Sequence, residues 1–277
     1  MYTQLKDIIF QTKKKFFSNI QGEHLSIFNG NGLEFNEVRA YDINDDIRHI
    51  NWKITARTRN ASVNVFYENK QINILLVYLN SGGLHFFENS KKNLATTLLS
   101  ALGFVALNQK DSLSSLFFDE KERSFFGFSK NKNMVYSLYD VALALEPLNC
   151  NINYANLKDF IFEKVKAKTI IFFIGDFLQI PDFKDLSSKY EIYSLIIRDK
   201  KEENLELFGE YNIINTNNLS SKIMNINSKT AKQYNTYMKK YDEELSSYFK
   251  NNNIKYKKFY TDENPFENLK NFLKETR

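Results

Sequence analysis

The sequence predicts an α/β protein whose mostly parallel sheet is flanked by helices. Near-continuous apolar runs at 72–79, 169–174 and 191–197 are typical of strands that are covered on both faces. Stretches with a helical apolar period lie between these runs, as at 90–109 and 133–148. Strands that alternate with helices favour a parallel sheet with right-handed crossovers.

Residues 1–70 have a different pattern and predict a small N-terminal extension that contains both strand and helix. The predicted elements are a helix over 2–20, strands over 22–28, 32–41 and 62–67, and a short helix through 52–57. Asp45 is the candidate N-cap of that short helix.

Residues 71–277 are predicted to form the sheet domain, which ends in a helix, a strand and a closing helix. The further predicted elements are strands over 111–118, 123–128, 209–216 and 254–260, and helices over 157–165, 182–190, 228–249 and 265–274. The segment 209–216 is interpreted as an edge strand. The tyrosines at 234, 237, 241 and 248 on the long helix predict core or a helix interface, not a platform for nucleic-acid bases.

Composition indicates a globular protein with a sizeable core. Hydrophobic residues make up 43% of the 277 residues, and the net charge of +5 is too dilute to indicate nucleic-acid binding by itself. The single cysteine, Cys150, excludes an intramolecular disulfide and fits a reducing compartment. Neither a signal-peptide pattern nor an apolar run long enough to span a bilayer is evident. We therefore expect a cytoplasmic protein.

Residues 34–57 form the densest polar and aromatic cluster of the chain. Its members include Glu34, Phe35, Arg39, Tyr41, Asp42, Asp45, Asp46, Arg48, Asn51, Trp52 and Arg57. Arginines and aspartates at this density predict mutual pairing, since a buried charge without a partner is costly. The cluster is either an internal network that fixes the N-terminal segment onto the sheet or a binding surface for a partner. The internal network is the favoured interpretation.

Two segments predict the place where a ligand would bind. The first apolar strand ends in Leu79-Asn80-Ser81-Gly82-Gly83, and a later strand ends in Gly175-Asp176-Phe177. Ligands of open α/β sheets bind outside the carboxyl ends of the strands. Oxygen-bearing side chains at such ends can hold a hard cation.

The chain resembles the domain-of-unknown-function 58 family of bacteria, whose fold is similar to the von Willebrand factor type A domain. The motifs that carry the resemblance are Gly32-Leu33-Glu34-Phe35, Arg39-Ala40-Tyr41, Asn44-Asp45-Asp46-Ile47-Arg48-His49-Ile50-Asn51-Trp52 and Ala56-Arg57. Their spacing matches the family pattern throughout. Asn44 stands where the family has glycine, and Asn51 stands where it has aspartate. The resemblance covers nearly the whole chain and implies a Rossmann-like, von Willebrand type A-like sheet.

The resemblance also implies a divalent-ion site, which this sequence does not preserve. The related pattern is Asp-x-Ser-x-Ser after the first strand, with a threonine and an aspartate from later loops. If Ser81 matches the first serine, Leu79 replaces the aspartate and Gly83 replaces the second serine. If Asn80 stands in for the aspartate, neither serine is in register. Asp176 matches the later aspartate, but one carboxylate makes a poor Mg²⁺ site. We expect no cofactor.

The leading hypothesis is a non-enzymatic protein–protein interaction module. The resemblance implies an adaptor that works beside a MoxR-type AAA+ ATPase in assembling or maturing an unidentified client complex. One alternative is a metal-dependent hydrolase or nuclease that uses Asp42, Asp45, Asp46 and Asp176. A second alternative is a nucleic-acid-binding protein, which requires a contiguous basic face.

Overall fold

The computed structural model describes residues 2–17, 33–43, 45–68 and 72–276. The chain divides into two compact units. The smaller unit comprises 26–72, and the larger unit comprises 1–25 together with 73–277. The first helix thus groups with the sheet, whereas the sequence placed the division at residue 70. The predicted strand over 22–28 lies outside the described residues.

A six-stranded sheet forms the centre of the larger unit. Its strands, in chain order, are β3 (Asn73–Leu79), β4 (Ser112–Phe118), β5 (Glu122–Ser129), β6 (Thr169–Gly175), β7 (Glu191–Arg198) and β10 (Lys255–Tyr260). Their spatial order is β10-β7-β6-β3-β4-β5, and only β5 runs antiparallel to its neighbour. This is the strand order of a Rossmann-like doubly wound sheet. The predicted fold class is therefore confirmed.

Helices cover both faces of this sheet. They are α1 (Tyr2–Thr12), α3 (Ser90–Asn108), α4 (Met134–Ala144), α5 (Tyr154–Lys164), α6 (Lys184–Lys189), α7 (Lys200–Glu203), α8 (Ser228–Asn251) and α9 (Pro265–Glu275). On one face α3 packs on the central strands, and α1, α4 and α9 pack on α3. On the other face, α5, α6 and α8 contribute to a core cluster that includes Phe173 and Phe183, whose rings stack 4.1 Å apart. Successive residues of β3 point to opposite faces of the sheet, and the residues on both faces are buried. This explains the nearly unbroken apolar run.

The segment predicted as an edge strand forms a separate hairpin instead. Strand β8 (Gly209–Ile214) pairs antiparallel with β9 (Ser221–Ile226), and the sequence did not predict β9. Almost every residue of the two strands is exposed. The sequence interpretation was wrong because the apolar side chains of 209–214 suggested a place in the main sheet, whose edges are β10 and β5.

The smaller unit contains a two-stranded antiparallel sheet and a short helix. Strand β1 (Leu33–Ala40) pairs with β2 (Ser62–Glu68), with an irregularity between Phe35 and Glu37. A single 3₁₀ turn, Ile47–His49, precedes α2 (Trp52–Thr58). Asp46 caps the turn and Asn51 caps α2, so Asp45 is not the cap that the sequence predicted.

None of the helices in the described residues is long and apolar enough to cross a membrane.

Candidate functional site

The candidate site lies where the sheet changes its winding direction, between β3 and β6. The chain leaves β3 toward β4 on one side and returns to β6 on the other. The loops that follow these two strands, 79–83 and 175–178, flank the crevice where such sheets bind ligands. We call these loops the switch-point edge.

Leu79 belongs to the hydrophobic core and does not line the switch-point edge. Its side chain is 1% exposed and packs in the same cluster as Phe173 and Phe177. Gly175 on the neighbouring strand leaves it room, because a Cβ at residue 175 would lie 2.8 Å from the Leu79 Cβ. The position where the resemblance expects a metal-binding aspartate is thus a core position here.

Asp176 is 5% exposed, and its carboxylate occupies the space beside Gly83. A Cβ at residue 83 would overlap the Asp176 Oδ2 atom, so glycine is needed for this approach. Asp176 Oδ1 accepts a hydrogen bond from the Leu178 N–H at 3.3 Å. Burial raises the pKa of Tyr154 well above its ordinary value, and the negative charge of Asp176 adds to the shift.

Asn80 and Ser81 are buried at the same edge but differ in their hydrogen bonding. Asn80 Nδ2 donates to the Glu146 carbonyl oxygen at 3.2 Å and lies 3.6 Å from Cys150 Sγ. Ser81 Oγ has no hydrogen-bond partner among the described residues. Burial raises the pKa of the Cys150 thiol, and the neighbouring Asp119 charge adds to that shift.

These donors do not fit a hard divalent cation. Leu79 and Gly83 offer no oxygen side chain, which leaves the Asp176 carboxylate and the Ser81 hydroxyl from the predicted set. Mg²⁺ requires near-octahedral oxygen coordination and is usually anchored by carboxylates. Within the described ranges, no group of three or more His, Cys, Asp or Glu side chains is arranged to hold a metal ion.

The tip of the β8–β9 hairpin rests on the switch-point edge. The Thr216 carbonyl oxygen accepts a hydrogen bond from the Asn149 N–H at 2.8 Å. The Asn217 carbonyl oxygen accepts from Asn151 Nδ2 at 3.1 Å. A Cβ at Gly82 would overlap both the Thr216 oxygen and Asn217 Oδ1. The edge that the sequence marked as an open ligand site is covered by this contact.

Buried charged side chains hold the main chain of the same edge. Arg198 is 0% exposed and donates to the main-chain oxygens of Asp176 and Phe177. Its guanidinium also lies 3.8 Å from Glu203 and 3.6 Å from Asp242, and Lys258 contacts both of these carboxylates. Arg198 thereby fixes the loop that carries Asp176.

The arginines and aspartates of the 34–57 cluster pair locally, as the sequence predicted, but these pairs are not buried. Arg39 forms two hydrogen bonds with the Asp45 carboxylate, at 2.8 and 2.6 Å. Arg48 forms a comparable pair with Asp46, at 2.6–3.1 Å. Hydrogen bonds from Arg48 lower the pKa of Asp46 from 3.8 to about 2. The expected buried network is thus a set of exposed ion pairs.

The other members of the cluster are mostly exposed as well. Trp52 is 68% exposed and Arg57 is also exposed, whereas Tyr41 is half-buried. The Asn51 side chain caps α2 through the Ile54 N–H at 3.1 Å and donates to Asn64 Oδ1 at 2.8 Å. Glu34 and Phe35 lie in β1. Asp45 and Asp46 are committed to arginines and main-chain N–H groups, which argues against the hydrolase hypothesis.

A comparison with protein-family models identifies this pattern. The model described as "Protein of unknown function DUF58" matches residues 37–245, more than half of the 277-residue chain. This chain belongs to the DUF58 family. The match includes most of the 34–57 cluster, both loops of the switch-point edge and the β8–β9 hairpin.

Curated relatives of this DUF58 chain are uncharacterised. It is 29% identical over 114 residues to "Uncharacterized protein Rv1480" of Mycobacterium tuberculosis and to "Uncharacterized protein Mb1516" of Mycobacterium bovis. The matched region covers 40% of this chain and 36% of each relative, so the chain spans about a third of their length.

Two solved structures are similar to the DUF58 chain at low identity. One is an aerotolerance-related membrane protein from Bacteroides fragilis, with 12% identity, a TM-score of 0.41, and coverage of 64% of this chain and 99% of that one. The other is the conserved hypothetical protein BatB from Bacteroides thetaiotaomicron, with 7% identity, a TM-score of 0.42, and coverage of 74% and 98%.

Sequence reasoning assigned no role at the site to three features of this DUF58 chain: the hairpin tip, Arg198, and Asp119, which is fully buried and paired with Arg123. One signal was available for Arg198. It follows an apolar strand directly, where a charged side chain needs a buried partner. Asn217 carried no comparable signal, because its turn is polar like any surface turn.

Proposed function

We propose that this chain is a non-enzymatic protein–protein interaction module, an adaptor for a MoxR-type AAA+ ATPase in the assembly or maturation of another protein complex. The observation that carries the proposal is the state of the switch-point edge. Leu79 lies in the core, Asp176 fills the space beside Gly83, and the hairpin tip covers Gly82. The place where α/β folds usually perform chemistry is occupied by the chain's own groups.

Exposed apolar side chains on the neighbouring hairpin support a role in recognition. They are Tyr211, Ile213, Ile214, Ile223 and Met224, together with Phe208 just before β8. A two-stranded hairpin in water has little stability of its own, and its outer edges offer unpaired N–H and C=O groups. Apolar patches rimmed by polar residues mark protein-binding surfaces. The hairpin is therefore the recognition surface in this proposal.

The recognition surface can be tested with a matched pair of variants. Ile223 on the hairpin and Ile47 in the smaller unit are each 66% exposed. The purified chain is titrated onto an immobilised MoxR-type ATPase from the same genome by biolayer interferometry. We expect Ile223→Ser to weaken binding about tenfold or more, as loss of a well-packed apolar anchor does. Ile47→Ser should leave it unchanged.

The same measurement tests the absence of a metal requirement. Without nucleotide, binding should be equal in EDTA and in Mg²⁺, because the donor set at Asp176 is too poor to hold the ion. Binding that disappears in EDTA and returns with Mg²⁺ would contradict the proposal. Absence of binding in every condition would remove the ATPase partner. A loss with Ile47→Ser alone would move the recognition surface to the smaller unit.

A further inference from the structure

The hairpin tip, residues 215–220, is bound at the switch-point edge through its main chain. Asn149 donates its N–H to the Thr216 carbonyl oxygen, and Asn151 donates its side-chain amide to the Asn217 carbonyl oxygen. Two successive carbonyl groups of the tip are thus recognised, without the use of a side chain of the tip. A site that reads main-chain carbonyls accepts other chains with the same backbone shape.

Gly82 makes this close approach feasible. Any Cβ at residue 82 would overlap the Thr216 oxygen and Asn217 Oδ1. The Gly82 N–H donates to the Cys150 carbonyl oxygen at 2.9 Å, which fixes Gly82 next to the loop that carries Asn149 and Asn151. We call Gly82, Asn149 and Asn151 the carbonyl-docking site.

The tip fits this site imperfectly. Asn217 Oδ1 lies against Gly82, is buried, and has no hydrogen-bond partner in the described part of the chain. A buried polar atom without a partner costs free energy that a better ligand recovers. A ligand that places no unpaired polar atom against Gly82 would therefore bind this site better than the tip does.

The tip is also lightly held. Between the tip and the 149–151 loop, the described residues show the two hydrogen bonds above, and the strands behind the tip are exposed. The turn itself is shaped by side chains, since Asn215 Oδ1 accepts from the Asn217 N–H and Asn218 Oδ1 accepts from the Ser220 N–H. Segments with few buried contacts open locally at low free energy.

We infer that the carbonyl-docking site is a binding site for a turn of a partner protein and that the hairpin tip is an internal occupant that must leave first. The partner turn presents two successive main-chain carbonyls and a small residue against Gly82. This inference rests on the proposed role in protein recognition. Tethering gives the tip a high effective concentration, so the free site is closed to weak ligands.

The test uses the tip as its own probe. A fluorescent, head-to-tail cyclised peptide with the sequence of residues 212–223 is titrated into the full chain and followed by anisotropy. The wild-type chain should not bind it, because the site is filled. Asn215→Ala/Asn218→Ala loosens the turn and leaves the carbonyl-docking site intact, so this variant should bind the peptide at least tenfold more tightly.

Two glycine variants in the opened background establish where the peptide binds. Gly82→Ala should abolish binding, since its methyl group fills the space that the carbonyls need. Gly127→Ala should leave binding unchanged, because nothing lies within 4 Å of a Cβ there. Peptide binding that survives Gly82→Ala would overturn the inference, and so would an opened variant that fails to bind the peptide.

Hydrogen exchange tests the displacement itself. The Asn149 amide should exchange faster in the Asn215→Ala/Asn218→Ala variant and in Gly82→Ala than in wild type, because its acceptor is the Thr216 oxygen. Unchanged protection in both variants would show that the tip does not leave, and the inference would fail. The peptide assay contains no ATPase, so its failure would not affect the proposed adaptor function, which the interferometry tests separately.

Discussion

Both units of the chain contain ion pairs, but the pairs compared here differ in their burial. In the smaller unit, Arg39 and Arg48 pair with aspartates at the surface. In the larger unit, Arg198 and Lys91 are fully buried and pair with carboxylates that are themselves largely buried. The sequence concentrates charge in residues 34–57, but the larger unit places its charges where electrostatic interactions are strong. The local density of charge along a sequence is therefore a poor guide to its energetic weight.

Burial explains the difference. A surface ion pair gains little, because water screens the attraction and the side chains lose freedom. A buried charge that loses its partner keeps its desolvation cost, so removing one member of such a pair is strongly destabilising. The exposed pairs shape turns that identify the family, whereas the buried pairs hold the switch-point edge in place.

Removing Arg198 should have the largest effect. Arg198→Met leaves the carbonyl oxygens of Asp176 and Phe177 without their buried donor. It also removes one of the two cations beside the Glu203 and Asp242 carboxylates, which keep Lys258. We expect the free energy of unfolding to fall by about 3–5 kcal/mol, measured by urea denaturation. Arg48→Met is the control and should shift the denaturation midpoint only slightly, because its pair with Asp46 is exposed. Equal effects of the two substitutions would refute the contrast between the units.

The Lys91–Glu202 pair sharpens the comparison through a rescue. Lys91 Nζ lies 2.9 Å from Glu202 Oε1, and the lysine side chain is fully buried. Lys91→Met should cost about 3 kcal/mol, because it leaves a buried carboxylate unpaired. Lys91→Met/Glu202→Leu should recover most of this loss, as apolar replacements of buried pairs do. A double variant as unstable as the single one would show that the unpaired Glu202 carboxylate is not the cause of the lost stability.

A smaller effect is expected at Gly83. Gly83→Ala places a methyl group where the Asp176 carboxylate now lies, so the carboxylate must move. Overpacking of this kind costs about 1–3 kcal/mol, which thermal unfolding would detect. Gly127→Ala has open space around its new methyl group and serves as the control. A neutral Gly83→Ala would mean that Asp176 relocates freely.

The smallest effect concerns Asp46. Hydrogen bonds from Arg48 lower its pKa from 3.8 to about 2. A depressed folded-state pKa stabilises the protein above pH 3.8, and this contribution is lost as the pH falls toward 2. A carboxyl carbon NMR titration should show the low midpoint in wild type and a return toward 3.8 in Arg48→Ala or in high salt. A midpoint that does not respond to either change would exclude the ion pair as its cause.

The sheet domain was predictable because local sequence patterns indicate its strands and helices. Beyond their first residues, Asn73–Leu79 and Thr169–Gly175 are apolar, which happens where helices cover both faces of a strand. The long helix Ser228–Asn251 extends the predicted 228–249 by two residues, since its Asn227 cap and aligned apolar side chains give clear local signals. These features depend on neighbours in the sequence and not on distant contacts.

The sequence placed the candidate site outside the carboxyl ends of two strands, but it did not predict which of the chain's own residues cover that edge. The chemistry of Leu79 and Gly83 predicts a poor metal site, which stays a prediction. The structure adds that Leu79 lies in the core and that the Asp176 carboxylate lies beside Gly83. The docked tip depends on Gly82 meeting Thr216, residues far apart in the sequence, and no local pattern encodes such a meeting. Strand β9 was also not predictable. Both of its faces are exposed, so its polar and apolar residues do not alternate as they do in a half-buried strand.

The four-residue helix α7 has a mechanical consequence for the chain. Glu202 is tied to Lys91 of α3 at 2.9 Å, and the adjacent Glu203 is tied to Lys258 of β10 at 2.5 Å. Just beyond α7, the Leu205 N–H is held by Asn235 Oδ1 at 2.8 Å. A force that pulls on the hairpin would act first on these contacts, which transmit it to α3 and to β10. The root of the hairpin is therefore its mechanically stiff end, and the exposed strands between root and tip are its compliant part.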